Sequence, residues 1–142
     1  MTERPHVFES RFQVRSYELD SFGHMNHAVF LNWFEQARFD AFEQSGFSIP
    51  VIQATGGGIY VVKLEIEYLK EARLGDPLVI RTWGGEAGRT SMVFHQVASP
   101  AEAPEVAVAK AAVRGVFIGP DKRPARIPRE FLAAFGVAPH ER

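Results

Sequence analysis

Residues 20–27 of this 142-residue chain bring together side chains that can move protons and bind charge. They include the carboxylate of Asp20, the imidazoles of His24 and His27, and the amide of Asn26. A carboxylate can take a proton from water or attack a carbonyl carbon directly. A neighbouring imidazole can orient that carboxylate or position the water. These residue types therefore indicate a candidate site for acid–base or nucleophilic chemistry.

The same segment also has a purely structural interpretation. The stretch DSFGHMN at residues 20–26 has the Asp, Ser, Gly and Asn content of a turn, in which Asp20 can be a turn former. Asn26 is typical of a helix N-cap, and His24 can hold the loop by hydrogen bonds. The residue pattern alone leaves both interpretations open.

A strongly apolar helix is predicted directly after this segment, over residues 27–45, with Gly46 as its C-terminal stop. Its apolar residues cover more than half of the circumference, so we expect other elements to wrap around it. Arg38 is expected to pair with Glu35 on the polar side. The apolar positions are Phe30, Leu31, Trp33, Phe34, Ala37, Ala41 and Phe42.

Alternation of apolar and polar residues predicts strands in most of the remaining chain, most clearly where Val62, Leu64, Ile66 and Tyr68 share one face. Short connections imply an antiparallel sheet. We therefore expect an α+β fold, a single domain over residues 1–142 in which a curved antiparallel sheet wraps around one long central helix. A sheet edge or face is left uncovered, which favours a homo-oligomer. The other predicted elements are strands at 8–19, 78–84, 90–98 and 105–118 and one or two helical turns after Pro128.

The composition excludes several classes of function. A net charge of -1 provides no basic field to attract nucleic acid. The chain has no cysteine, which excludes disulfides, thiolate metal sites and a cysteine nucleophile, and its His and Asp residues lack zinc-binding spacing. We therefore expect no metal and no cofactor. No apolar run approaches the roughly 18 residues of a membrane span, and residues 1–10 lack a signal-peptide core, so we expect a cytoplasmic protein.

Together these motifs resemble the hotdog-fold acyl-CoA thioesterases, in the thioesterase III-like branch of the 4-hydroxybenzoyl-CoA thioesterase family. The signature is Asp20, then GHMN at residues 23–26, then an aromatic helix that contains Glu35 and Arg38. Supporting matches are LEIEYLKEARLGDPL at residues 64–78 and RIP at residues 126–128. The resemblance implies hydrolysis of acyl-CoA thioesters, with coenzyme A as part of the substrate.

The resemblance also implies catalytic roles. Asp20 occupies the place of the catalytic carboxylate, as general base or nucleophile, and His27 has the spacing of a catalytic histidine in one branch of the family. Backbone amides at the helix start favour a developing oxyanion, and Gly58 can bring another amide near the carbonyl. The residues assigned to this turn and oxyanion region are His24, Asn26, Ala28 and Gly58.

Coenzyme A carries phosphates, which local basic residues must meet. The resemblance places coenzyme A contacts at Arg89, Thr90 and Ser91. The densest basic run of the chain includes Arg123 and Arg126, and arginine binds phosphate in a bidentate manner. The resemblance also implies a site at the dimer interface, so we expect a homodimer or homotetramer.

Other functions fit the same fold. A hydratase or dehydratase would also use an aspartate and a histidine near the helix start, but with four residues between them, whereas Asp20 and His24 have three. A non-catalytic module that binds acyl-CoA or acyl carrier protein is a further alternative, as is an enzyme acting on acyl carrier protein thioesters. In another hotdog branch a helix carboxylate is catalytic, and Glu35 would take that role here.

Overall fold

The computed structural model describes residues 6–140. The first five and the last two residues lie outside the described part, and so does half of the N-terminal segment examined above for a signal peptide. Within it the chain forms five strands, one long helix and two short helices. In chain order they are β1 (Phe8–Gln13), α1 (His27–Ser45), α2 (Ile49–Gln53), β2 (Gly58–Tyr68), β3 (Pro77–Gly85), β4 (Ser91–Pro100), β5 (Ala109–Ile118) and α3 (Arg129–Ala134).

The strands form one antiparallel sheet in the order β1-β3-β4-β5-β2, curved around α1. This confirms the predicted α+β architecture. Strands β1 and β2 are the two edges of the sheet. No helix in the described part of the chain is long and apolar enough to cross a membrane.

Helix α1 begins and ends at the predicted residues. The side chain of Asn26 accepts a hydrogen bond from the amide of Ala28, and Gly46 takes the left-handed conformation with φ 91°. The apolar face of α1 is buried against the sheet, and Phe34 at its centre has no exposed surface. Burial of this face is the main source of stability for the arrangement.

A cluster of aromatic rings fills one end of the core. The ring of Phe131 from α3 stacks on Phe135 at 4.8 Å and contacts Phe117 at 4.9 Å between ring centroids. Phe42 of α1 and Phe94 of β4 complete the cluster. Much of the unusual phenylalanine content is therefore packed in edge-to-face and offset contacts that stabilise the core.

Three strand predictions need correction. The strand predicted over residues 105–118 begins at Ala109, because the chain before it forms turns at residues 101–106. The first strand ends at Gln13 instead of continuing to residue 19, because residues 16–18 form a single 3-10 turn. In β2 the register against β5 shifts between Val61 and Lys63, so Val62 is the extra residue of a β-bulge. The bulge places Val61, rather than Val62, on the face shared by Leu64 and Ile66.

Helix α2 is absent from the sequence prediction. Ser48 caps it by accepting a hydrogen bond from the amide of Val51, and Pro50 occupies its first turn. The glycines that follow allow the chain to pass close to β5, since a Cβ at Gly57 would lie 2.0 Å from the carbonyl oxygen of Ile118. This close passage leads the chain into β2.

A buried carboxylate fastens the loop before α1 to the helix itself. Glu18 is 6% exposed, and its Oε2 accepts a hydrogen bond of 2.7 Å from the indole Nε1 of Trp33. Its Oε1 accepts a 2.8 Å hydrogen bond from the amide of Arg15. The carbonyl oxygen of Glu18 accepts another from the amide of Asn26, so this residue ties both ends of the loop together.

We expect Glu18→Ala to lower the free energy of unfolding by about 2 kcal/mol, because it leaves the buried indole N–H of Trp33 without an acceptor. Urea unfolding at fixed protein concentration, followed by tryptophan fluorescence, measures this loss. Glu43→Ala on the exposed side of α1 is the matched control. Equal losses in the two variants would contradict a specific role for the Glu18 contact.

Candidate active site

The turn that carries Asp20 is closed by its own backbone. The amide of Asp20 donates to the carbonyl oxygen of His24 at 2.7 Å, and Gly23 supplies the left-handed residue with φ 81°. The Asp20 Oδ1 accepts hydrogen bonds from the amides of Phe22 at 2.8 Å and His24 at 3.1 Å. The Oδ2 accepts none from residues 6–140, which leaves one carboxylate oxygen free for a ligand.

A neighbouring segment holds the turn in place. The amide of Met25 donates to the carbonyl oxygen of Ala72 at 2.6 Å. The His24 imidazole lies 2.9 Å from Glu71, which also pairs with Arg73 at 2.6 Å. The hydrogen bond from Arg73 is the main reason that the pKa of Glu71 is lowered. The structure thus places His24 in loop fixation by its ring as well as by its amide.

The surroundings of Asp20 favour the ionised carboxylate. The hydrogen bond from the His24 amide is the largest cause lowering the pKa of Asp20 below its ordinary value of 3.8. Partial burial opposes this effect, while the amide of Phe22 and the imidazoles of His24 and His27 add to it. Asp20 is therefore a carboxylate at neutral pH, as a base or a nucleophile must be.

One backbone amide at the start of α1 is free. The amides of Met25, Asn26 and Val29 donate to carbonyl oxygens, and that of Ala28 donates to the Asn26 side chain. Among the amides of residues 25–29, only that of His27 has no acceptor within residues 6–140. The predicted oxyanion donor at Ala28 is thus occupied by the helix cap, and the available donor lies one residue earlier.

Asp20 and both histidines share an open pocket of about 320 Å³, here called the Asp20 pocket. Tyr68, which the sequence analysis did not assign to a site, lies on its wall and donates its hydroxyl to the carbonyl oxygen of His27 at 3.0 Å. Burial raises the pKa of Tyr68, so the hydroxyl stays a donor at neutral pH. The lining residues are Asp20, His24, Met25, His27, Phe30, Tyr68, Leu69, Lys70 and Glu71.

A larger groove of about 660 Å³, the α1–β2 groove, separates α1 from the beginning of β2. Gly58 lines this groove and does not line the Asp20 pocket of the same chain. Arg38 also lies on its wall, buried and bonded to Gln96, which corrects the expected surface pair with Glu35. The expectation was wrong because Arg38 faces the sheet, where β4 supplies an acceptor.

The basic residues predicted to contact coenzyme A are partly brought together. Arg89 and Arg126 line a small cavity together with Arg129, and these three residues are here called the arginine cluster. Thr90 and Ser91 follow Arg89 into β4, where Ser91 accepts a hydrogen bond from Arg114. Arg123 lies apart from this cavity, in the turn capped by the Asp121 side chain.

The Asp20 pocket and the arginine cluster lie towards opposite ends of the sheet. Tyr68, at the end of β2, lines the Asp20 pocket, whereas Gly58, at its beginning, pairs with Ile118 and lines a pocket shared with Arg126. The strand has 11 residues, which at about 3.3 Å per residue span roughly 33 Å. The two sets of residues are therefore far apart within one chain.

The edge strand between them exposes apolar side chains. Tyr60 and Val62 are 54% and 59% exposed, and Leu64 is 37% exposed. On α1, Leu31 and Phe39 are also partly exposed. Such a surface on an unpaired strand edge is typical of a protein–protein interface.

The described residues form no cluster that could bind a metal ion. Within residues 6–140, no three His, Asp or Glu side chains form a group that could hold a metal ion. The ionisable groups that line the Asp20 pocket are the carboxylates of Asp20 and Glu71, the imidazoles of His24 and His27, the phenol of Tyr68 and the amino group of Lys70.

Residues 14–135 match the family described as the thioesterase-like superfamily. The chain is 32% identical over 128 residues to the acyl-CoA thioester hydrolase YbgC of Escherichia coli O6:H1, covering 88% of this chain and 94% of that protein. It is 28% identical over 130 residues to the acyl-acyl carrier protein thioesterase ATL2 of Arabidopsis thaliana, covering 90% of this chain and 68% of that protein.

A solved structure supports the fold. The chain superimposes on Slr0204 of Synechocystis, a 1,4-dihydroxy-2-naphthoyl-CoA thioesterase, with a TM-score of 0.82. The superposition covers 92% of this chain and 96% of that one at 22% sequence identity, a level that shows the fold alone. The fold predicted from the sequence is therefore shared with a solved thioesterase.

We expect a carbon NMR titration of the Asp20 carboxyl to have its midpoint below pH 3.8. The pKa of Asp20 is lower in the folded chain than in the unfolded chain, so ionised Asp20 stabilises the fold. This stabilisation is fully present above the pKa of the unfolded chain and is lost as the pH falls through the pKa of the folded chain. His27→Ala removes only the smallest of the effects that act on the pKa of Asp20, so we expect the midpoint to stay below pH 3.8. A wild-type midpoint at or above 3.8 would contradict the hydrogen-bonded arrangement of the turn.

Proposed function

Because this chain belongs to the thioesterase-like superfamily, we propose that it hydrolyses acyl-CoA thioesters to a free acid and coenzyme A. The observation that carries the proposal is that Asp20 and His27 line one pocket, and that within residues 6–140 the Oδ2 of Asp20 accepts no hydrogen bond and the amide of His27 has no acceptor. The likeness to an acyl-CoA thioester hydrolase over nearly the whole chain supports the choice of substrate. The other reactant is water, and no cofactor is required.

Asp20 supplies the attacking group. As a base, its Oδ2 takes a proton from water while the water oxygen forms a bond to the thioester carbonyl carbon. As a nucleophile, the same oxygen attacks that carbon, and water then hydrolyses the resulting anhydride. Both routes need an ionised carboxylate with one unoccupied oxygen, which is what the bonds to the Phe22 and His24 amides leave.

The His27 amide stabilises the charge that develops on the carbonyl oxygen. It lies at the N-terminus of a long helix, where partial positive charge favours an oxyanion. When the tetrahedral intermediate collapses, the carbon–sulfur bond breaks and the thiolate of coenzyme A leaves with a proton taken up from the site. The His27 imidazole, beside Tyr68 in the same pocket, positions the water or transfers this proton.

A complete site needs two subunits. The arginine cluster suits the phosphates of coenzyme A, but lies towards the far end of β2 from the Asp20 pocket. If β2 pairs with the same strand of a second chain in antiparallel orientation, the Gly58 end of one strand lies beside the Tyr68 end of the other. We infer that Asp20 and His27 of one subunit act together with Gly58 and the arginine cluster of the partner subunit.

Acyl carrier protein thioesters are the second candidate substrates. The likeness to a plant acyl-acyl carrier protein thioesterase favours testing them, since the bond to be cleaved is the same. A hydratase is disfavoured by the spacing of Asp20 and His24, and loss of enoyl-CoA absorbance without thiol release would support it. A binding module would bind acyl-CoA tightly and release no thiol from any member of a broad panel.

We expect Asp20→Asn to lower thiol release by about 10²-fold or more on acyl-CoA and acyl carrier protein substrates, because it removes the base or nucleophile. A panel of short, long and aromatic thioesters, assayed with a thiol reagent, measures this. Asp40→Asn is the matched control, since Asp40 lies on α1 and accepts a hydrogen bond from Gln36 away from the pocket. Turnover near the wild-type value in Asp20→Asn would reject this mechanism.

Mixing two inactive variants tests the composite site. Asp20→Asn lacks the attacking group, and the double variant Arg89→Ala/Arg126→Ala lacks the arginine cluster but keeps Asp20. If each site draws on two subunits, a mixed dimer contains one intact site, so co-refolded mixtures regain activity that neither variant has alone. Mixtures in which light scattering shows dimers but activity stays at the level of the separate variants would place each site within one chain.

A further inference from the structure

A buried arginine that forms no ion pair with residues 6–140 lies on the wall of the α1–β2 groove. Arg38 is 6% exposed, and its Nη1 donates a hydrogen bond of 3.0 Å to the Oε1 of Gln96 on β4. Gln96 is itself fixed, because its Nε2 donates to the carbonyl oxygen of Phe34 and to the hydroxyl of Thr82. A neutral amide in a fixed position therefore orients the guanidinium.

The other guanidinium N–H groups of Arg38 have no acceptor within residues 6–140. A guanidinium carries five N–H donors, and the bond to Gln96 is the one hydrogen bond that this guanidinium makes within residues 6–140. Within residues 6–140, the Nε of Arg81 is the only side-chain nitrogen or oxygen that is both inaccessible to solvent and without a hydrogen-bond partner. The unpartnered nitrogens of Arg38 are therefore accessible. Because Arg38 lines the α1–β2 groove, a molecule in the groove can reach these donors.

Burial of this charge is unfavourable for the protein alone. Burial is the largest cause lowering the pKa of Arg38, and the charge of Glu35 opposes it only in part. An apolar side chain would fill the same helix position without the desolvation cost of a charge. The position of Arg38 is therefore better explained by a ligand that accepts its hydrogen bonds than by packing of α1.

The groove matches a hydrocarbon chain with a polar group on it. Its walls include the apolar side chains of Phe39, Phe42 and Ile59, while Arg38 contributes the donors. Glu35 also lies on the wall, and its negative charge disfavours a carboxylate at this place. A hydroxyl or oxo oxygen accepts from Arg38 without that repulsion, and a hydroxyl can also donate to Glu35.

We propose that Arg38 selects aliphatic acyl chains that carry a hydroxyl or oxo oxygen remote from the thioester. This inference rests on the proposed function, in which Gly58 acts together with Asp20 of a second subunit. Because Gly58 also lines the α1–β2 groove, the inference places the acyl part of the substrate in that groove. Arg38 acts on specificity and not on the reacting bond. It therefore changes the ratio between substrates instead of the chemical step.

The test compares kcat/KM for plain and oxygenated aliphatic acyl-CoAs of equal carbon number, with the oxygen placed at different positions along the chain. We expect wild type to prefer at least one oxygenated chain about tenfold or more, the effect of a hydrogen bond to a charged donor. In Arg38→Met this ratio falls towards one, and in Arg38→Lys it is partly kept. Arg11→Met, an exposed arginine paired with Glu9, is the control and leaves the ratio at the wild-type value.

A binding measurement can test this inference separately from the proposed hydrolysis. Thioether analogues of coenzyme A, which have no scissile carbonyl, are titrated by calorimetry with plain and oxygenated chains. Preference for an oxygenated chain without hydrolysis of any thioester would keep the inference and reject the proposed function. Wild type that hydrolyses thioesters and shows no preference for any oxygenated chain would overturn the inference, whether or not Arg38→Met folds.

Discussion

The buried carboxylate of Glu18 is the contact on which the geometry of the candidate site depends. It accepts hydrogen bonds from Trp33 on α1 and from the backbone at Arg15, while its own carbonyl oxygen receives the amide of Asn26. Both hydrogen bonds to the Glu18 carboxyl oxygens are 2.8 Å or shorter, so they hold the side chain in one position. The turn that carries Asp20 is therefore fixed relative to helix α1, whose first residue, His27, lines the same pocket.

The helix cap then decides which amide is available for chemistry. The side chain of Asn26 takes the amide of Ala28, and its carbonyl oxygen takes that of Val29. This leaves the His27 amide without an acceptor within residues 6–140, while Asp20 in the same pocket uses only one carboxylate oxygen in the hydrogen bonds of its own turn. The helix cap and the proposed catalysis thus use the same short segment. This explains why several polar side chains lie directly before a strongly apolar helix.

The sequence predicted features that depend on neighbours along the chain. The ends of α1 follow from Asn26 and Gly46, and the antiparallel sheet follows from short connections, so both were predicted correctly. Features that depend on distant partners were not predictable. The acceptor of Arg38 lies 58 residues away on β4, and the bulge at Val62 exists only in the pairing with β5. Tyr68 joins the site because the fold brings the end of β2 to the start of α1.

The open edge of β2 also affects the tendency of newly synthesised chains to aggregate. Until it is paired, this 11-residue strand offers free backbone groups and exposed apolar side chains to any other extended segment, including copies in the wrong register. Lys63, Glu65 and Glu67 interrupt the apolar residues with charges, which disfavour stacking into fibrils. Aggregation of newly made chains is thus opposed by residues that have no part in the proposed reaction.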